Sequence, residues 1–99
     1  MRRAEVAAVL AAGRRLRGPS INVQIRVNGL GLARLGLIVP KRHVRRAVDR
    51  NRMKRLLREW FRHYQERLQG SDLLIRVIAP VPDPECAIRD MNRLFCDER

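Results

Sequence analysis

Residues 47–64, AVDRNRMKRLLREWFRHY, read as one amphipathic helix with its oily and basic sides kept apart. At about 100° per residue with Met53 as zero, Leu56, Leu57, Trp60, Phe61, Tyr64 and Leu68 fall within roughly 80° of one direction, a core-facing stripe. Asn51, Arg55, Arg58 and Arg62 point the opposite way, and Arg52 flanks Arg55. Arg50 lies about 160° around the helix from Arg52, so the Arg-Asn-Arg triplet fans out. That spread suits several phosphates of a folded RNA better than a flat surface. A charged helix face is ordinarily just solvated. Here only Glu59 interrupts the basic face after Asp49, and unbalanced positive charge repels itself unless a polyanion screens it.

The rest of the composition agrees. The 99 residues allow one domain, 1–99, with a single modest core. The net charge is +12, unevenly spread: residues 1–62 hold 17 Lys and Arg against Glu5, Asp49 and Glu59, while residues 63–99 hold five against seven acids. The binding surface is therefore encoded in the first two-thirds. Arginine supplies all the positive charges except Lys41 and Lys54, and guanidinium favours bidentate phosphate contacts and stacking. Cys86 and Cys96 stand ten residues apart in an expected helix, roughly 15 Å along its axis, too far for a disulfide. Reduced thiols, no apolar run of membrane-spanning length and no signal-peptide core together predict a cytoplasmic protein without a membrane partner.

Outward from the helix, the pattern predicts the order helix, strand, strand, helix, strand, helix. Residues 1–12 are alanine-rich and helix-prone, stopped by Gly13, and Arg14 to Ser20 lead out of that helix. Ile21, Val23, Ile25 and Val27 alternate with polar residues as a half-buried strand, and Asn28-Gly29 marks a turn into a partner strand over 33–39. Gly36 leaves the other face of that strand open to close approach. Val44, Ala47 and Val48 are out of phase with Met53 onward, which predicts a kink near Asp49, with Asp49 as cap. The helix should run to about Gln69, stopped by Gly70-Ser71. Residues 73–79 read as a central strand, able to lie parallel to 33–39 across the long helix. Asp83 and Pro84 start the last helix, with Ala87, Ile88, Met91, Leu94 and Phe95 buried.

The run Gly36 to Trp60, GLIVPKRHVRRAVDRNRMKRLLREW, closely resembles the signature of the bacterial ribonuclease P protein family. The specific part is a strand ending near a basic pair, then V-R-R-A, then R-N-R, one spacer, K-R, and R-E two residues on. The resemblance spans roughly residues 4–96. It implies an α+β fold: a two-layer sandwich with a mixed central sheet, ribosomal-protein-S5-domain-2-like, with a left-handed βαβ crossover through the basic helix. It also implies a protein subunit of a ribonucleoprotein that hydrolytically removes the 5′ leader from precursor tRNA. The catalytic centre and its magnesium ions belong to the RNA subunit, and the chain alone is expected to be inactive. The partners implied are that catalytic RNA and precursor tRNA, with no DNA.

Carried over residue by residue, the RNA-contacting signature falls on Arg50, Asn51, Arg52, Lys54 and Arg55, preceded by Lys41, Arg42, Arg45 and Arg46, with Arg58 and Arg62 further along the helix. Local pairing of Glu59 with Arg55 or Arg62 is the competing role. Members of the family commonly line a leader cleft with aromatic residues of the first helix and first strand; here Val6, Leu10, Val23 and Gln24 stand at those places.

The residues themselves argue against a self-sufficient nuclease. A general acid and base must reach one phosphate, yet His43 and His63 would lie about 30 Å apart on a continuous helix. There are two serines, no threonine, no phosphate-cradling glycine loop and no zinc-ligand spacing. Two alternatives remain: a ribosomal-type binder of structured RNA, and a DNA-binding basic helix, for which no dimer-forming zipper is evident.

Overall fold

The run from Leu73 to Val77 is apolar on both faces except at Arg76, so both of its faces need cover, as in a central strand. The computed structural model describes residues 14–81 and 83–96. It contains β1 (Arg14–Arg17), β2 (Ile21–Val27), β3 (Arg34–Ile38), α1 (Ala47–Tyr64), β4 (Ser71–Val77) and α2 (Pro84–Cys96). The strands form one mixed sheet in the order β1-β2-β4-β3, with β4 inside it. β2 runs antiparallel to β1 and β4, whereas β3 and β4 are parallel and joined through α1.

Both helices lie on one sheet face. Ile21 and Val23 of β2 and Leu73, Ile75 and Val77 of β4 meet Met53, Leu57 and Trp60 of α1 and Ala87 and Met91 of α2. Each such buried side chain contributes about 1.5–3 kcal/mol relative to exposure. Trp60 ties the two helices together. Its ring stacks on Tyr64 with centroids 4.3 Å apart and meets Phe95 at 4.8 Å, while its indole N–H donates to Asn92 Oδ1 at 2.9 Å. On the opposite sheet face, Gln24 and Leu74 are register partners and are also closed to solvent.

Several expectations are corrected. β3 is not hydrogen-bonded to β2, because β4 takes the place between them; the reversal of direction at Asn28-Gly29 holds. The connection is an Asn28-centred loop: Asn28 Oδ1 accepts from the Leu30 amide at 2.8 Å, and Asn28 Nδ2 donates to Leu32 O at 3.1 Å. Gly29 and Gly31 take φ values of 70° and 72° there, open to glycine. Arg14 to Arg17, given no element by the sequence pattern, is strand β1, with Leu16 opposite Val23, and the chain turns at 18–20. Three arginines concealed a strand whose only apolar residue is Leu16.

Helix α1 runs unbroken through Asp49, which is not its cap. Arg46 is the N-cap residue, with extended backbone and no side-chain cap bond. Val44 explains the mismatched phase: it is buried from the preceding turn and does not belong to the helix, whereas Val48 is exposed. α1 ends at Tyr64 rather than near Gln69, and the chain turns through 65–70 to Gly70 at φ 78°. Leu68 is buried all the same. The start of α2 follows expectation, with the Cys86 amide donating to Asp83 Oδ1 at 3.1 Å. The helix expected over 1–12 lies outside the described residues.

β4 begins two residues earlier than its apolar run, and the extension brings in Asp72. This carboxylate is wholly buried and held by Arg34 through two bonds of 2.7 Å, with Asn28 Nδ2 at 2.9 Å. The Arg34 hydrogen bonds hold its pKa below the ordinary 3.8 against the upward push of desolvation, helped by Asn28. A depressed carboxylate pKa stabilises the fold above the unfolded value and ceases to do so as pH falls through the folded one. Asp72→Asn should therefore destabilise the chain by about 2–4 kcal/mol at neutral pH. In urea titrations the gap from wild type should stay constant at neutral pH and narrow below pH 3.8.

Candidate RNA interface

After Pro40 the chain leaves the sheet in a tight turn in which the His43 and Val44 amides both donate to Pro40 O at 3.1 Å. Val44 enters the core, and Lys41, Arg42, Arg45 and Arg46 are left exposed around it. α1 starts immediately afterwards. No side chain caps its first amides, so the positive end of the helix dipole adds to the turn's cations.

The Arg-Asn-Arg triplet divides as the helical wheel indicates. Arg50 turns back and is half-buried, its Nη1 donating to Val44 O at 3.0 Å and Arg45 O at 2.9 Å. Asn51 is exposed on the outer face. Arg52 reaches the first turn of α2 and pairs with Glu85, both partly exposed, so the pair adds little stability. Arg62 pairs with Glu59 at 2.8 Å, one of the two local pairings the sequence allowed. Arg46 lies 3.9 Å from Asp49.

Among the described residues, no acid pairs with Lys54, Arg55 or Arg58. They border a depression of ≈ 580 Å³ along α1 together with Asn51, Glu59 and Arg62. Lys54 and Arg58 also reach a crevice of ≈ 220 Å³ at strand β3, shared with Gly36, Ile38 and Leu74. These two cations therefore join the helix face to the sheet. At the far end of β3 and β4, a third hollow of ≈ 270 Å³ brings Arg42 and His43 beside Arg76. Arg76 stands out in the sequence only as a single charge inside an apolar run.

Of the residues proposed for a leader cleft, Val23 and Gln24 are on opposite faces of the sheet. Val23 is completely buried in the core beneath the helices, while its neighbour Gln24 faces the other side of the sheet and is 3% exposed. Adjacent strand residues point to opposite faces, so these two cannot line one groove. Val6 and Leu10 lie outside the described residues. His43 and His63 stand at opposite ends of α1, whose 18 residues span about 27 Å, so they do not form an acid–base pair.

Repulsion among Lys54, Arg55, Arg58 and Arg62 costs the free chain a few tenths of a kcal/mol per i,i+3 or i,i+4 pair. Replacing Arg55 and Arg58 together by alanine should leave the melting temperature of the RNA-free protein unchanged or slightly raised. A drop of more than about 4 °C, roughly 1 kcal/mol in a domain of this size, would show instead that these side chains hold the fold.

Comparison with known proteins bears on this surface. The family model Ribonuclease P matches residues 1–95. The ribonuclease P protein component of Nitrosococcus oceani is 46% identical over 67 residues, which are 68% of this chain and 56% of that protein. That of Pseudomonas aeruginosa is 50% identical over 58 residues, covering 59% and 43% of the two chains. These matches span about half the length of the relatives. In three dimensions, the Staphylococcus aureus RNase P protein aligns with a TM-score of 0.86 at 20% identity, covering 100% of this chain and 93% of that one, a likeness of fold. The Thermotoga maritima RNase P protein aligns at 0.76 with 26% identity, covering 95% and 93%. With its basic turn, its Arg-Asn-Arg helix start and its mixed four-stranded sheet, the chain belongs to the ribonuclease P protein family.

Proposed function

We propose that the chain is the protein subunit of ribonuclease P, binding the catalytic RNA and the 5′ leader of precursor tRNA and assisting endonucleolytic removal of that leader. The observation that carries this reading is the row Asn51, Lys54, Arg55 and Arg58, whose three cations have no acidic partner among the described residues and continue into the sheet crevice. Family membership supplies the reaction.

On this reading the protein works through charge and position. The exposed cations of the turn and of α1 offset phosphate repulsion where RNA strands converge, and a substrate held in register needs less activation at the reacting phosphate. The uncapped start of α1 adds backbone donors suited to a phosphate oxygen. Lys54 and Arg58, touching both the helix face and the β3 crevice, are placed to hold a leader strand against the sheet while the RNA subunit occupies the outer face. Gly36 leaves room there for a sugar–phosphate backbone. Hydrolysis itself is supplied by magnesium ions of the RNA subunit. Among the described residues no three His, Cys, Asp or Glu side chains gather as metal ligands.

The test is cleavage of a precursor tRNA at low magnesium by a bacterial ribonuclease P RNA, with and without the chain, alongside a protein-only control. Correct 5′ cleavage only when both are present supports the subunit role. RNA binding without rescue leaves a binder of structured RNA of the ribosomal type, and cleavage by protein alone overturns the division of labour. With about six phosphates neutralised, affinity for the RNA should fall on the order of a thousandfold between 50 and 200 mM salt. A nearly flat response would remove the electrostatic basis.

A further inference from the structure

We infer that Arg50 is a positioning residue, which acts on RNA through the turn before α1 rather than by touching a phosphate itself. This deepens the reading above and rests on it.

Residues 41–46 belong to no helix or strand; Arg46 O accepts from the first amides of α1, whereas the Val44 and Arg45 carbonyls lie before the helix ladder and need donors from elsewhere. Val44 sets the geometry. With its side chain 5% exposed in the core and its amide on Pro40 O, its carbonyl is turned toward the helix. Arg45 follows, and its carbonyl reaches the same place. One guanidinium nitrogen of Arg50 accepts the task for both, at 3.0 and 2.9 Å. The Arg50 main chain meanwhile makes a first helical bond, its amide donating to Arg46 O at 3.0 Å. Side chain and backbone of one residue thus close the turn onto the helix start.

The consequence is electrostatic as well as steric. Two carbonyl dipoles are drawn inward onto a cation, away from any polyanion, while Lys41, Arg42, Arg45 and Arg46 stay exposed. Arg50 itself is half-buried, unlike Asn51 and Arg52. Both bonds leave the same terminal nitrogen, whose two N–H directions are fixed by the guanidinium plane; a lysine ammonium would offer donors on a flexible stem without that fixed plane.

The experiment combines hydrogen exchange on the free chain with a mutant cycle on RNA binding. In Arg50→Ala, the His43 and Val44 amides should exchange at least tenfold faster, with Leu57 unchanged. Affinity for ribonuclease P RNA should fall about tenfold. In the Arg45→Ala/Arg46→Ala background the same change should cost less than twofold and leave the slope of log affinity against log salt as it was. Unchanged exchange, or an equal tenfold loss in both backgrounds with the slope reduced by about 0.9, overturns the proposal and makes Arg50 a direct phosphate contact. Should Arg50→Ala fail to fold, Arg50→Gln takes its place, keeping the stem and removing charge and fork. If the wild-type chain does not bind the RNA, the subunit reading falls, and the exchange arm alone decides whether Arg50 closes the turn.

Discussion

The burial of Met53, Leu57 and Trp60 over the sheet is the interaction on which the rest depends. A helix bearing like charges three and four residues apart is a poor helix in water. α1 persists because its other side is packed on the sheet and braced by the aromatic contacts of Trp60 with Tyr64 and Phe95. The core therefore holds in place a charge pattern that would otherwise disperse. The apolar stripe and the exposed cations Lys54, Arg55 and Arg58 occupy different sides of one helix, whereas Arg50 and Arg52 also make contacts within the fold.

The sheet order gives that helix its location. Because β3 and β4 are parallel neighbours, the chain must travel the length of the sheet to join them, and α1 is that return path. Lys54 and Arg58 consequently stand beside β3, and Arg42 and His43 come level with Arg76. Residues far apart in sequence are gathered along one side of the molecule by the requirement that a strand needing cover on both faces sit in the interior.

Much of this could be read from the residues. The wheel of α1 as far as Tyr64, the core face of β2 at Ile21 and Val23 and the Asp83-Pro84 start of α2 each depend on local pattern, and each stands, although Gln24 is buried on the other face of β2 and Val27 is exposed. What escaped depends on partners. The three arginines of β1 gave no alternation to read, because Leu16 is its only apolar residue and shares its face with Arg14. β2 and β3 looked like a hairpin because the loop signal between them is local, while the competitor for the pairing lies some 40 residues on. Asp72 sat just outside the apolar run 73–79 and carried no local sign of burial, since the guanidinium that makes its burial tolerable comes from β3. At the interface the sequence marked the cations but not their use: backbone carbonyls engage Arg50 and an acid of α2 engages Arg52, and neither partner is visible on a helical wheel.

The Arg34–Asp72 pair has a role in alignment too. Antiparallel strands joined by a short turn inherit their register from the turn, but β3 and β4 are connected through a whole helix and have no such device. In the native register Arg34 faces Asp72 and Gly36 faces Leu74. Sliding β3 by two residues keeps every apolar side chain on its own face, so hydrophobic burial alone discriminates weakly against it. The slip would set Gly36 against Asp72, taking away the two Arg34 hydrogen bonds and leaving the buried carboxylate only the Asn28 amide and the charge of Arg26 on β2. The pair thus acts as a key that only one alignment of the parallel strands can fit, and that alignment fixes how far along β3 the cations of α1 come to rest.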